Sequence, residues 1–156
     1  MSAKSAADAT ALTLLREEID AADEALILAI GTEQGNGDLA TARIEFIQAF
    51  QTLFSECAQA TQEAEALLTA LESQLPRPPS RNAIQALLQG FNARAKVRTH
   101  KNVTRDRQRE EVVTERWRRN AEAANVDPVT AVAIFQIILA TSVRMQELQI
   151  RGTLET

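Results

Sequence analysis

Apolar residues recur at helical spacing along almost the whole chain, and the breaks between these runs are few. Leu12, Leu14, Leu15, Ile19, Ala22, Leu26 and Ile30 form a stripe at steps of mostly three and four residues, which predicts a helix from about Ala11 to Ile30. Gly31, Gly35, Asn36 and Gly37 end it. Asp38 suits an N-cap, and Ile44, Ile47, Phe50, Phe54, Leu67, Leu68 and Leu71 then give an apolar side as far as about Gln74. That segment has no Gly or Pro, so it reads as one long helix, with the weakly apolar run Ser55 to Thr61 as the place for a bend. Pro76-Arg77-Pro78-Pro79-Ser80 is the clearest breaker in the chain and predicts a linker.

Three further helices follow. The first runs from Ser80 to about Lys101, with Ile84, Leu87, Leu88, Phe91, Ala95 and Val97 inward. Gly90 lies inside it, at a cost of about 1 kcal/mol against alanine. The next runs from about Thr104 to Ala124, with Val112, Val113 and Trp117 inward. The last begins at Asp127-Pro128, a cap residue with proline at the first helical position, and continues to about Arg151. Its middle is apolar almost all round, so it is expected to be the most buried. The pattern predicts an all-α bundle of about five helices, in a single domain over residues 1–156.

Composition agrees with helix: Ala, Leu, Glu, Gln and Arg dominate, Tyr is absent, and Gly and Pro number five and four. The single cysteine, Cys57, excludes an internal disulfide, and among Ala and Gln it reads as a half-buried helix residue rather than a nucleophile. The N-terminal ten residues lack the apolar segment of a signal peptide, and no stretch approaches the roughly 18 apolar residues of a membrane span. A cytoplasmic protein with no membrane partner is the expectation. One histidine, His100, and one cysteine do not make a zinc site, and there is no Gly-rich phosphate loop or nucleophile elbow. No metal and no cofactor are expected, so catalysis would have to proceed without either.

The net charge of −4 hides an asymmetry. Up to Gly90 the chain holds thirteen acids and five bases, whereas Arg94 to Arg119 holds ten Lys/Arg against four acids. A local positive excess on an acidic chain points to an anionic ligand. The basic stretch lacks the interleaved aromatics that stack on bases, which argues against nucleic acid. Within it, Asp106, Arg109 and Glu110 fall at i, i+3 and i+4 and share one helical face. One cation flanked by acceptors suits a ligand carrying both carboxylate and hydroxyl. Ser142 and Gln146, four apart on the last helix, continue the stripe of Phe135 and Leu139. Polar side chains there need partners, from a neighbouring helix or from a ligand. The carboxylates Asp20 and Asp23 read as solvated or paired with nearby bases.

These residues resemble the all-α chorismate mutases. Leu15-Arg16-Glu17-Glu18-Ile19-Asp20-Ala21-Ala22-Asp23 resembles the family's opening Leu-Arg-x-x-Ile-Asp-x-x-Asp. Arg105 to Glu110 followed by Glu111-Val112-Val113 resembles its Asp-x-x-Arg-Glu signature, and Asn125 to Pro128, Ile134 to Ile138 and Ser142 to Gln146 resemble its last helix. The likeness covers roughly 80 of 156 residues, about 11–30 and 84–151, with an inserted helical segment at about 31–83. It implies rearrangement of chorismate to prephenate in a homodimer, with a chorismate-like dicarboxylate as the small-molecule partner. Arg16 would reach one carboxylate and Arg109 the other; Glu110 and Asp106 would accept from the ring hydroxyl. Gln146 and a lysine would donate to the ether oxygen, with Ser142 beside the ligand. Lys101 is the choice for that lysine over Lys96.

The first helix departs from the family pattern. The family carries a second arginine about 17 residues after the first, where this chain has Glu33. Arg43, Arg81 and Arg94 are the alternatives, each more often a surface arginine. The resemblance therefore leaves two neighbouring possibilities: isochorismate pyruvate lyase or aminodeoxychorismate mutase activity, and a non-catalytic helical binding or regulatory module.

Overall fold

The computed structural model describes residues 3–33, 39–97 and 107–155, and side-chain surroundings within 10–33, 39–97 and 107–148. The helices are α1 (Ala3–Thr32), α2 (Leu39–Leu53), α3 (Ala60–Gln74), α4 (Arg81–Val97), α5 (Arg107–Ala123) and α6 (Pro128–Glu155). There are six rather than about five, because the expected long second helix is two. A straight helix over that span would be about 55 Å long and could not lay both of its apolar stretches on one core. Instead the chain turns through Phe54 to Gln59. The Cys57 N–H bonds to the Phe54 carbonyl at 2.9 Å and the Ala60 N–H to the Cys57 carbonyl at 3.2 Å. Phe54 and Cys57 are both buried, so the turn is held by inward side chains rather than by Gly or Pro. Cys57 is thus a buried turn residue, not a half-buried helical one.

One helix end, at Asp127-Pro128, follows the cap read from the chain, and Asp38, the other expected cap, lies outside the described residues. The Ser80 hydroxyl accepts from the Ala83 N–H at 3.1 Å and starts α4. Asp127 accepts from the Val129 N–H at 3.2 Å, with Pro128 as the first residue of α6. Asn125 closes α5 at φ 61°, a left-handed conformation that asparagine tolerates. Around it the Val126 N–H bonds back to the Ala121 carbonyl and the Asn125 N–H to the Glu122 carbonyl, the paired bonds of a Schellman motif.

Helices α1 and α4 lie antiparallel. Glu33 meets Asn82, Asp23 meets Arg94, and Leu15 and Ile19 pack with Ala93 and Val97. The α2–α3 hairpin sits over the other side of α4. Phe50 stacks against Phe46, Phe54 and Phe91 with ring centres 4.8–5.7 Å apart, contacts worth about 0.5–1.5 kcal/mol each beyond the area they bury. Helix α4 packs against α1, α2 and α6, and this central place makes it more completely buried than α6, contrary to expectation. Helix α6 shows one face to α3, α4 and α5 and leaves Val129, Gln136, Ala140 and Arg144 exposed. Its stretch Pro128–Leu148 has a mean hydropathy of 1.6, long and apolar enough to cross a membrane, which the chain had not been expected to contain. In this fold its apolar residues serve the core, with Ile134, Ile138 and Met145 almost fully buried. Leu14, Ile44 and Val112, expected inward, are exposed. Leu14 and Val112 sit about 100° round the helix from buried Leu15 and Val113, and Ile44 lies two residues from both Ala42 and Phe46, on the opposite face of α2, so apolar character alone does not fix the inner face.

The far end of α1 touches the α5–α6 turn backbone to backbone. A Cβ on Gly31 would lie 2.3 Å from the Ala124 carbonyl oxygen and 3.0 Å from a Val126 methyl. Gly31→Ala is therefore expected to lower stability by about 1–3 kcal/mol despite the better helix propensity of alanine. Urea denaturation followed by helical circular dichroism measures this, and an unchanged midpoint would show that the contact is soft.

Candidate functional site

Four helices converge on a narrow cavity of about 90 Å³. Helix α1 contributes Arg16 and Ile19, α4 contributes Arg94 and Val97, α5 contributes Arg109, Glu110 and Val113, and α6 contributes Phe135, Leu139, Ser142 and Gln146. Half of the lining residues are apolar and the polar half converges from all four helices, a makeup that suits a small charged molecule. A wider groove of about 780 Å³ runs along the outer face of α5 and α6. Its charges alternate in sign, and Arg118 and Arg144 there are tied to Glu115 and Glu63. Converging cations are found in the narrow cavity, which shares Glu110, Phe135 and Leu139 with that groove and so opens toward it.

The spacing of α5 and α6 explains part of this convergence. Arg109, Val113 and Trp117 recur every four residues and look inward together, and so do Leu139, Ser142 and Gln146 on α6. Arg109 is half-buried. Its Nη2 donates to Asp20 Oδ1 at 2.8 Å and reaches the Arg16 carbonyl oxygen at 3.5 Å. Arg116 donates to the other Asp20 oxygen at 2.7 Å. One aspartate on α1 thus anchors two arginines of α5.

Arg94 was weighed as a surface arginine, yet its side chain is only 10% exposed. Its Nη2 donates to both oxygens of Asp23, at 3.1 and 2.8 Å, and the Trp117 indole N–H donates to Asp23 Oδ2 at 3.1 Å. Burial pushes the Asp23 carboxyl above its usual range; the Arg94 charge and the two donors act against that rise. Sequence reading missed this arrangement because the partners lie on different helices. The available signal was an Asp in an otherwise apolar stripe of α1 facing a Gly90/Arg94 pair one turn apart.

The cavity brings together Arg16, Arg109, Glu110, Ser142 and Gln146 from the sequence-derived set, all within one chain, and adds Arg94. Lys101 and Asp106, named on sequence grounds, lie outside the described residues, as does His100. Lys96, the alternative to Lys101, is at the C-terminal end of α4. Gln146 is 5% exposed, and its Oε1 is the buried side-chain atom without a hydrogen-bond partner among the described residues. A buried amide oxygen left in that state costs about 1–3 kcal/mol.

Residues 81–147, from the start of α4 well into α6, match the family model described as chorismate mutase type II. The similarity covers 67 of the 156 residues. Searches of curated proteins and of solved structures found no match. The matched stretch holds Arg94, Arg109, Glu110, Ser142 and Gln146, and the helical architecture is that of the all-α chorismate mutases. Arg16 and the acids that anchor the arginines come from α1, before the match begins.

The orphaned amide gives a prediction that separates ligand binding from core structure. Gln146→Leu, close in size, should leave stability unchanged or raise it by up to about 2 kcal/mol, because the unsatisfied group is removed. A fall in the thermal midpoint would show instead that Gln146 is a satisfied core residue.

Proposed function

We propose that the protein is a chorismate mutase whose cavity clamps the two carboxylates of chorismate and stabilises charge on its breaking ether oxygen. The observation that carries this reading is the unpartnered buried amide oxygen of Gln146 in a cavity rimmed by Arg16, Arg94 and Arg109. Chorismate rearranges to prephenate within one molecule: a carbon–oxygen bond breaks as a carbon–carbon bond forms. The reaction needs a compact pseudo-diaxial substrate and donors near the ether oxygen, where negative charge grows. It needs neither nucleophile nor cofactor.

The roles follow from chemistry. Arg109 grips one carboxylate as a planar fork, and Arg16 faces the other. The Gln146 amide turns its NH₂ to the ether oxygen, and Glu110 accepts from the ring hydroxyl. Ser142 lies beside the ligand on the turn of α6 before Gln146. Lys101 adds a second donor and Asp106 a second acceptor on sequence grounds. The unliganded cavity is smaller than the ~300 Å³ or more of typical ligand pockets. A ligand therefore extends from the cavity into the groove on α5 and α6, with which it shares Glu110, Phe135 and Leu139.

Following the loss of chorismate absorbance tests the reading. Wild-type protein should turn chorismate over to prephenate, and Arg109→Ala should lower kcat/KM by at least about a thousandfold with helical content intact, a loss of about 4 kcal/mol. Undiminished turnover in Arg109→Ala would exclude this cavity, and release of pyruvate would reassign the activity to a lyase. Arg16 and Arg109 meet within one chain, so mixing Arg16→Ala with Arg109→Ala protein should restore no activity. Recovery toward a quarter of the wild-type rate would show that α1 is exchanged between two copies.

A further inference from the structure

We propose that Trp117, Asp23 and Gly90 form a positioning device that aims the Arg94 guanidinium into the cavity, where it serves as a third cation for the substrate's carboxylates. This rests on reading the cavity as a chorismate site. Two features that weaken a fold converge on this one group. A buried ion pair is no more stabilising than well-packed apolar side chains, because both charges lose water. A glycine inside a helix is less stable than alanine. Here Asp23 and Arg94 are both almost wholly buried, and Gly90 sits one turn before Arg94 on α4. A Cβ at Gly90 would lie 2.8 Å from Arg94 Nη1 and 3.6 Å from Asp23 Oδ1. The missing methyl leaves the space that the guanidinium fills.

The hydrogen bonds define the orientation. Asp23 takes its two bonds from Nη2 alone, so the carboxylate lies at one corner of the guanidinium rather than along its forked edge. Trp117 donates to the Asp23 oxygen that makes the shorter of these bonds, and the indole packs against Phe135 with ring centres 5.5 Å apart. Phe135 itself lines the cavity. An arginine held in this way arrives already ordered, so the ligand does not bear the entropy of ordering a long side chain. Trp117 and Asp23 act through Arg94 and are positioning residues.

The chain has one tryptophan, so its emission reports on Asp23 directly. Chorismate titrated into the wild type should shift Trp117 emission, and Arg94→Ala should remove the shift. Gly90→Ala retains every charge and favours helix, so it should fold with an equal or higher thermal midpoint. It displaces Nη1, and KM for chorismate should rise at least about tenfold. Trp117→Phe should lower kcat/KM several-fold, and Asp23→Asn should do so more severely where it folds. Wild-type kinetics in Gly90→Ala would overturn the proposal. So would a Trp117→Phe protein with a lower thermal midpoint and unchanged kcat/KM. In either case wild-type turnover would leave the assigned function standing. A wild type that neither binds nor converts chorismate would remove the function and this device with it.

Discussion

The rest of the structure depends on the pairing of Asp23 with Arg94 across the α1–α4 contact. The two residues are 71 positions apart, both buried, and joined by two hydrogen bonds. Such a pair specifies more than it stabilises. Sliding α1 along α4 by one turn would leave each charge alone in an apolar interface, at a cost of about 3–5 kcal/mol. The pair thereby fixes the register of the two helices. That register sets where Arg16, nearly two turns earlier on α1, enters the cavity. It also sets where Asp20, one turn before Asp23, meets Arg109 and Arg116 on α5. Asp20 and Asp23 therefore tie α1 to both helices that carry the cavity's other cations.

This arrangement tempers the electrostatics of the site. Arg109 and Arg94 each share their charge with an aspartate before any ligand arrives. The cavity attracts a dicarboxylate less through net charge than through N–H donors of guanidinium groups that the aspartates orient. In a water-poor cavity such donors act strongly on a charge that develops during reaction. They also need little reorganisation, because the aspartates hold them in place.

Much of this was legible along the chain. Asp127-Pro128 and Ser80 mark helix ends through local chemistry, and local chemistry is what a sequence displays. The Phe54–Gln59 turn was legible only as the place for a bend in one long helix, at Ser55 to Thr61, because it uses no breaker residue. It forms since Phe50, Phe54 and Leu68 gain more from a shared core than a straight helix gains from continuity. Arg109, Ser142 and Gln146 were found through helical spacing, which carries one face of a helix with it. Arg94 was not assigned, for its meaning resides in Asp23 and Trp117 on two other helices. Spacing within one element cannot reveal a partner on another.

The α2–α3 hairpin links these observations. If α1 ran straight on into α4 without residues 33–80, Arg16 would stand about 45 Å from Arg94 at 1.5 Å per residue. With α2 and α3 between them, α1 is returned antiparallel to α4, and both arginines line one cavity. The hairpin has no side chain in that cavity, yet it supplies Phe46, Phe50, Leu67 and Leu68 to the core beneath α4 and α6. Its contribution is connection and support: it reverses the chain, covers the far side of α4, and leaves the near side free for α1. The apolar content of residues 39–74 and the charged chemistry of α1 are thus two halves of one solution. The first lets a helix fold back on its continuation, and the second uses the resulting contact to hold cations in place.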